Sequence, residues 1–207
     1  MKHLLIAISL LIGINVHSQT SDAAFKKGVT KYGAKDYKGA ITDFTKAITL
    51  NPKNVNALTY RANAKQRIDD YKGAIDDYTK AIKLKPALSD AYTNRAHCKF
   101  NSLNYAGTEA DYKAVVADYT KAIELNPKDT VAYLNCGSTK DYLKDYKGAI
   151  QDFSKLCEIT PNNGEPYYFK GNSEEKAGDK EAACADWNKA IELGEARAQP
   201  AIAKNCN

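Results

Sequence analysis

The chain has 207 residues, 43% of them apolar and 27% charged. That balance describes a folded protein rather than a disordered one, and the length suits one ordinary domain or a short repeat array. The formal net charge is only +5, from 30 basic and 25 acidic residues, with no run of five or six like charges. Composition therefore excludes a nucleic-acid-binding tail and a basic membrane-binding patch.

The chain opens on Lys2 and His3, followed by an apolar run from Leu4 to Ile14 broken only by Ser9 and Gly13. The run is shorter than the roughly 20 residues of a membrane-spanning helix. With Val16-His17-Ser18 after it, residues 1–18 read as a signal peptide, cleaved near Ser18 to leave Gln19 first. The alternative is an uncleaved anchor. Either way the expectation is an exported protein, periplasmic, cell-surface or secreted, with no membrane insertion after cleavage.

From residue 19 onward the chain repeats itself. Asp-Tyr-Lys-Gly-Ala-Ile stands at Asp36 to Ile41, Asp70 to Ile75 and Asp145 to Ile150. A second motif follows, beginning at Asp43, Asp77, Asp118, Asp152 and Asp186, with spacings of 34, 41, 34 and 34 residues. A fixed period of this length marks a repeat array. In the unit 55–88, Leu58, Ala62 and Lys65 step by four and three. Tyr71, Ala74, Ile75, Tyr78, Ala81 and Ile82 then recur at i, i+3, i+4 and i+7, one apolar face of a second helix. Asp70 stands where a helix N-cap accepts backbone N–H bonds, and Pro86 ends the unit. Each unit reads as helix, tight turn, helix, turn.

The pattern resembles the tetratricopeptide repeat, which has a 34-residue helix–turn–helix period. The resemblance rests on six positions of the unit: a small residue at 8, aromatics at 17 and 24, alanines at 20 and 27, proline at 32. Residues 19–54 supply Gly28, Tyr37, Ala40, Phe44, Ala47 and Pro52. Residues 55–88 supply Ala62, Tyr71, Ala74, Tyr78, Ala81 and Pro86. Residues 89–129 supply Ala96, Tyr112, Val115, Tyr119, Ala122 and Pro127. Residues 130–163 supply Gly137, Tyr146, Ala149, Phe153, Leu156 and Pro161. Residues 164–194 keep Gly171, Ala183, Trp187 and Ala190 but lose the first aromatic and the proline, as a terminal unit does. The resemblance implies an all-α, right-handed α-solenoid of five helix-turn-helix repeats. Residues 195–207 follow as a C-terminal capping helix with Pro200 near its start.

The third unit carries seven extra residues between Lys99 and Asp111. They form either a longer loop around Asn101 to Asn104 and Gly107 or an extension of the second helix. Tyr105, Tyr112 and Tyr119 recur every seven residues, and that spacing favours the helix.

Little in the sequence supports catalysis. His97 is the only histidine beyond residue 18, and no phosphate loop or metalloprotease motif is present. The expectation is a non-enzymatic protein with no cofactor and no metal. A site from His97, Cys98 and Cys136 lacks paired ligand spacing. Of the five cysteines, Cys184 and Cys206 share the last unit and are the disulfide candidate. Asp43, Asp77, Asp118, Asp152 and Asp186 face Lys27, Arg61, Arg95 and Lys170 in a repeated ion pair between the two helices of a unit. Lys46, Lys80, Lys121, Lys155 and Lys189 form a solvated outer stripe.

In the family this resembles, partners bind on the concave face lined by first helices. Carried onto this chain, that surface includes Asn56, Thr59, Asn63, Thr93, His97, Phe100, Leu134, Tyr142, Tyr168 and Asn172. Phe100, Leu134, Tyr142 and Tyr168 would be apolar anchors. Asn63 and Asn94 echo the clamp by which chaperone-binding members hold a terminal carboxylate, but its lysines are missing. The implied function is a protein–protein interaction module or scaffold holding a protein or peptide segment, with no nucleic acid. A self-assembling structural subunit of a cell-envelope complex is the alternative, and an enzyme or metal protein a remote one.

Overall fold

The computed structural model describes residues 20–104 and 106–206; residues 1–19, on which the signal-peptide expectation falls, lie outside them, as do Tyr105 and Asn207. Helix α1 covers residues 20–33. The rest follow as α2 (Tyr37–Leu50), α3 (Val55–Gln66), α4 (Tyr71–Leu84), α5 (Ser89–Leu103), α6 (Glu109–Leu125), α7 (Thr130–Tyr142), α8 (Tyr146–Ile159), α9 (Gly164–Ala177), α10 (Lys180–Glu192) and α11 (Gln199–Asn205). The fold class is all-α, in consecutive helix-turn-helix pairs. Among the described residues no helix is long and apolar enough to cross a membrane.

The repeated hexapeptide builds the second-helix starts. Asp36, Asp70 and Asp145 accept from the backbone N–H groups of Gly39, Gly73 and Gly148 at 2.9, 2.9 and 3.0 Å. A Cβ on any of these glycines would fall 2.1–2.3 Å from the capping carboxylate. The glycine thus makes room for its own cap; it does not serve the approach of two helices. The residue before each of these aspartates, Lys35, Asp69 or Lys144, has φ near +60°. That is a left-handed turn without glycine, strained by about 1–2 kcal/mol.

The seven extra residues are divided. One period after Gln66, where α3 ends, lies Phe100, yet α5 continues to Leu103. Tyr112 corresponds to Tyr71, where α4 starts, yet α6 begins at Glu109. Each helix gains three residues and the connection gains one. The expected two-turn extension of the second helix is therefore corrected. Thr108 caps α6 rather than lying on its packing face. Its backbone N–H donates to Asp111 Oδ2 at 2.9 Å and its hydroxyl accepts from the Asp111 N–H at 3.3 Å, a reciprocal box that fixes the start.

The chain divides into two compact units at Ser102/Leu103. The first buries Phe44 and Ala40 with Ala64, ringed by Phe25, Tyr32 and Tyr60. It also buries Tyr78 with Ala62, Ala74, Ala91 and Cys98. The second buries Trp187 with Ala183, Ala190 and Ala198, and the cap α11 lays Ala201 and Ile202 against them. Phe44, Tyr78 and Trp187 are essentially inaccessible; burying each contributes on the order of 2–3 kcal/mol. The 3₁₀ turn Ala196–Ala198 and α11 are tied back by a disulfide between Cys184 and Cys206, Cα atoms 5.7 Å apart. This is the pair singled out in the sequence. Cys98, Cys136 and Cys157 are free, buried thiols, each pushed up to about 12 chiefly by burial.

Candidate binding site

In the first unit a hollow of about 480 Å³ is lined by Tyr32, Asn63, Gln66, Arg67, Tyr71, Asn94 and His97. Five of these come from two short stripes: Asn63, Gln66 and Arg67 at i, i+3 and i+4 around the end of α3, and Asn94 and His97 at i and i+3 on α5. Spacing of that kind puts side chains on one helix face. The buried Tyr78 lies against two of the lining amides. Its hydroxyl donates to Asn63 Oδ1 at 2.5 Å, and burial pushes the phenol pKa up, so it stays a donor. Gln66 Nε2 lies 2.9 Å from His97 Nδ1. Burial pushes the His97 pKa below its ordinary value, so the ring is neutral near pH 7. Arg67 is the only charged lining residue, held firmly protonated by the Tyr32 oxygen. Tyr71 donates outward to Asp69 at 2.7 Å.

The second unit has a smaller hollow of about 170 Å³, lined by Ser138, Asp141, Phe153, Phe169, Asn172, Ser173 and Lys176. Its charges are already matched: Asp141 accepts from Ser173 at 2.8 Å and pairs with Lys176. Asn172 accepts from the Trp187 indole N–H at 3.0 Å, the counterpart of the Asn63–Tyr78 bond one unit earlier in kind.

Three stretches, 21–54, 56–88 and 131–163, match the sequence profile of the tetratricopeptide repeat. These three stretches are tetratricopeptide repeats. No curated protein matches it. Solved structures share its fold. One is MamA, 24% identical over 87% of this chain and 95% of that one, with TM-score 0.78. Another is YrrB, described as a tetratricopeptide-repeat protein with an unusual peptide-binding site, 20% identical over 86% of this chain and 89% of that one, TM-score 0.74. MamA from Desulfovibrio magneticus RS-1 is 16% identical over 84% and 94%, TM-score 0.74. At these identities the likeness shows the fold. Repeats of this kind mark a protein-interaction module.

Of the ten residues named from the sequence for this surface, the first unit brings Asn63 and His97 into its hollow, and the second unit places Asn172 in the smaller one. Thr93 is buried, with its hydroxyl turned back toward the Ser89 carbonyl at 3.4 Å, and is corrected to a packing residue. Thr59 likewise bonds the Val55 and Asn56 carbonyls, while Asn56 is exposed away from the hollow. Tyr168 is not a free anchor: the Arg197 guanidinium covers its ring at 5.0 Å. Tyr142 is 48% exposed, its ring 4.5 Å from that of Tyr112. Phe100 and Leu134 are half-buried. Tyr32, Gln66 and Arg67 stand at first-helix groove positions of the repeat pattern and line the hollow as well, whereas Asn94 and Tyr71 are off those positions. The i, i+3, i+4 run of polar residues on α3 was the available signal.

The interhelical ion pairs exist with a corrected partner pattern. Asp77 is gripped twice, by Arg61 at 2.6 Å and Lys65 at 2.8 Å. Asp186 pairs with Lys170 at 2.8 Å. Asp43, however, takes Lys31 rather than Lys27, four residues further along the first helix than expected, and Asp152, whose unit has Cys136 at the expected position, takes Lys140. In the last unit this second cation position is Glu174. Its carboxyl is buried, held up at about 7 by burial and by the Asp186 carboxyl. On the outer stripe Lys121, Lys155 and Lys189 pair with Glu124, Glu158 and Glu192 three residues on. Among the described residues no group of three metal-ligating side chains converges.

Proposed function

We propose that this chain is a non-enzymatic module that holds a segment of a partner protein against its first-helix side chains, with the hollow of the first unit as the principal contact. The observation that carries this reading is the hollow itself. It is large enough for a few side chains, half-open, and lined by amides, phenols, an imidazole and one arginine. Amide groups bond both donors and acceptors of an extended backbone, and Arg and Tyr are over-represented where binding energy concentrates. The smaller, internally paired hollow of the second unit supports a lesser role there.

In this reading residues 1–18 direct export, and the partner is a periplasmic, cell-surface or secreted protein. The Cys184–Cys206 bond supports that placement, since disulfides persist in oxidising compartments. The test is site-specific photocrosslinking in the exporting cell. A photoreactive residue at Asn94 should capture a discrete protein adduct, and one at Lys46, on the outer stripe, should not. Equal capture at both positions, or capture only at Lys46, contradicts the reading. Recovery of the chain from the cytoplasm with Met1 still present contradicts the export assignment separately.

A further inference from the structure

Arg197, in the 3₁₀ turn between α10 and α11, lies over two rings of α9. Its guanidinium carbon is 5.0 Å from the Tyr168 ring centroid and 5.4 Å from that of Phe169. Its Nη2 donates to Glu165 at 3.1 Å and to Glu195 at 2.7 Å, and its Nε donates to Glu195 at 2.8 Å. Two carboxylates and two aromatic faces thus converge on one cation. That set suits a guanidinium better than an ammonium, because the planar fork stacks on a ring while its N–H groups reach carboxylates.

The groups around Arg197 are held independently of it. Ala198 is fully buried, Ala201 and Ile202 pack against the Trp187 cluster, and the Cys184–Cys206 bond ties down the end of α11. The Glu195 backbone N–H donates to the Ala190 carbonyl at 2.8 Å. Gly164 packs so closely beneath that a Cβ on it would fall 2.7 Å from the Glu195 Cβ. Glu165 stands in the first turn of α9, which Asn163 caps, and Phe169 stacks on Phe153 at 5.7 Å. All four receptor groups therefore stay in place if the Arg197 side chain swings away. Arg197 is itself 49% exposed, so that swing does not open the fold.

Arg197 also sits where a partner segment would pass. Tyr168 occupies a first-helix groove position of the repeat pattern, and Phe169 lines the hollow of about 170 Å³ in the same unit. Exposed cation–π contacts and surface ion pairs are individually weak. A short tether supplies an effective concentration in only the millimolar range. An arginine presented on a longer segment therefore displaces Arg197. The exchange is like for like: the incoming guanidinium meets the same two carboxylates, Arg197 passes into water, and no charge is left unmatched.

We propose that Glu165, Glu195, Tyr168 and Phe169 form a receptor for an arginine of a partner segment, and that Arg197 keeps it filled until that arginine arrives. This goes beyond the hollow of the first unit: the receptor lies wholly within the second unit and stands or falls separately. A partner that offers no arginine here engages the first unit alone, and α9 keeps its own guanidinium.

The test uses the full mature chain, its disulfide intact, and two blocked pentapeptides, acetyl-Gly-Ser-Arg-Ser-Gly-amide and its Gln counterpart. Binding at millimolar concentration is followed by NMR of the Tyr168 and Phe169 rings. Arg197→Gln should bind the Arg peptide about tenfold more tightly than the unaltered chain, because the internal competitor is gone. Adding Glu165→Gln should lose most of that gain. The Gln peptide should leave the rings unmoved in every chain, and amide NMR spectra confirm that both variants are folded. In the unaltered chain the Arg peptide should also shift the Arg197 Nε–H signal, a readout of displacement that needs no variant. Equal affinity of the unaltered chain and Arg197→Gln, an equal response to both peptides, or no ring response in Arg197→Gln would overturn the proposal. So would an Arg197 Nε–H signal that stays fixed while the two rings move. Each of these outcomes leaves the first-unit hollow, read by capture at Asn94, untouched.

Discussion

The two units use one device to opposite effect. In each, an asparagine on a first helix accepts a hydrogen bond from a buried aromatic on the second: Asn63 from Tyr78, Asn172 from Trp187. Around Asn63 the remaining polar groups are unmatched by charge, and a hollow of about 480 Å³ remains. Around Asn172 the acid Asp141 already has Lys176 and Ser173, and Tyr168 lies beneath Arg197. Identical backbone architecture thus leaves different capacities for binding. The difference teaches that the repeat motif builds the scaffold, and that unmatched first-helix charge is what remains for a ligand.

Four perturbations sharpen the contrast. The largest effect is expected at Asp77, 1% exposed and held by two cations. Asp77→Ala strands Arg61 and Lys65 and should cost about 3–5 kcal/mol in urea unfolding of the first unit. Asp43→Ala, whose partner Lys31 is 44% exposed, should change stability little. Similar losses at both sites would show that burial does not distinguish them.

Next comes the clasp on the second unit. Replacing Cys184 and Cys206 by Ser opens a link between residues 22 apart. The expected loss is roughly 3 kcal/mol, confined to the second unit. Hydrogen exchange should quicken in α10 and α11 and stay unchanged in α1 to α5; a matching change in the first unit would contradict independent clasping.

A smaller effect is set by pH. The Glu174 carboxyl, raised in the fold from 4.5 to about 7, binds its proton more tightly folded than unfolded. That contribution is fully present below about pH 4.5 and is lost as pH rises through 7. It is on the order of 1–3 kcal/mol. Glu174→Lys restores the cation found at Lys31, Lys65 and Lys140, and should flatten the pH profile of the second unit. A profile unchanged by that substitution would remove Glu174 as its cause.

The smallest effect concerns the turn at Lys144, where φ is 61°. Lys144→Gly relieves left-handed strain but loosens the unfolded chain, for a net gain of about 0.5 kcal/mol. A loss in melting temperature would show that the Lys144 side chain contributes more than the strain costs.

The fold was legible because its signals are local and repeated. Asp36, Asp70 and Asp145 cap helices within four residues, and Phe44, Tyr78, Tyr119, Phe153 and Trp187 recur at one packing position. The insertion was misjudged because the seven-residue spacing of Tyr105, Tyr112 and Tyr119 satisfies a helix. The capping box at Thr108 and Asp111 decides against that reading, and its spacing was already in the sequence. The ion pairs were half legible: side chains four apart on a helix reach the same point, so Lys27 and Lys31 were equivalent by pattern. The hollow was the least legible part. Asn63 and His97 lie on the expected face, but their use depends on which neighbours Tyr78 and Gln66 occupy, and bonds 15 and 31 residues apart leave no periodic trace.

The most direct measurement is hydrogen exchange of the full chain with and without its captured partner. The prediction is slowed exchange over Val55–Gln66 and Ser89–Leu103, with Gly164–Ala177 unchanged. Protection that falls instead on Gly164–Ala177, or on the second helix Tyr71–Leu84 alone, would contradict a partner site in the first unit's hollow.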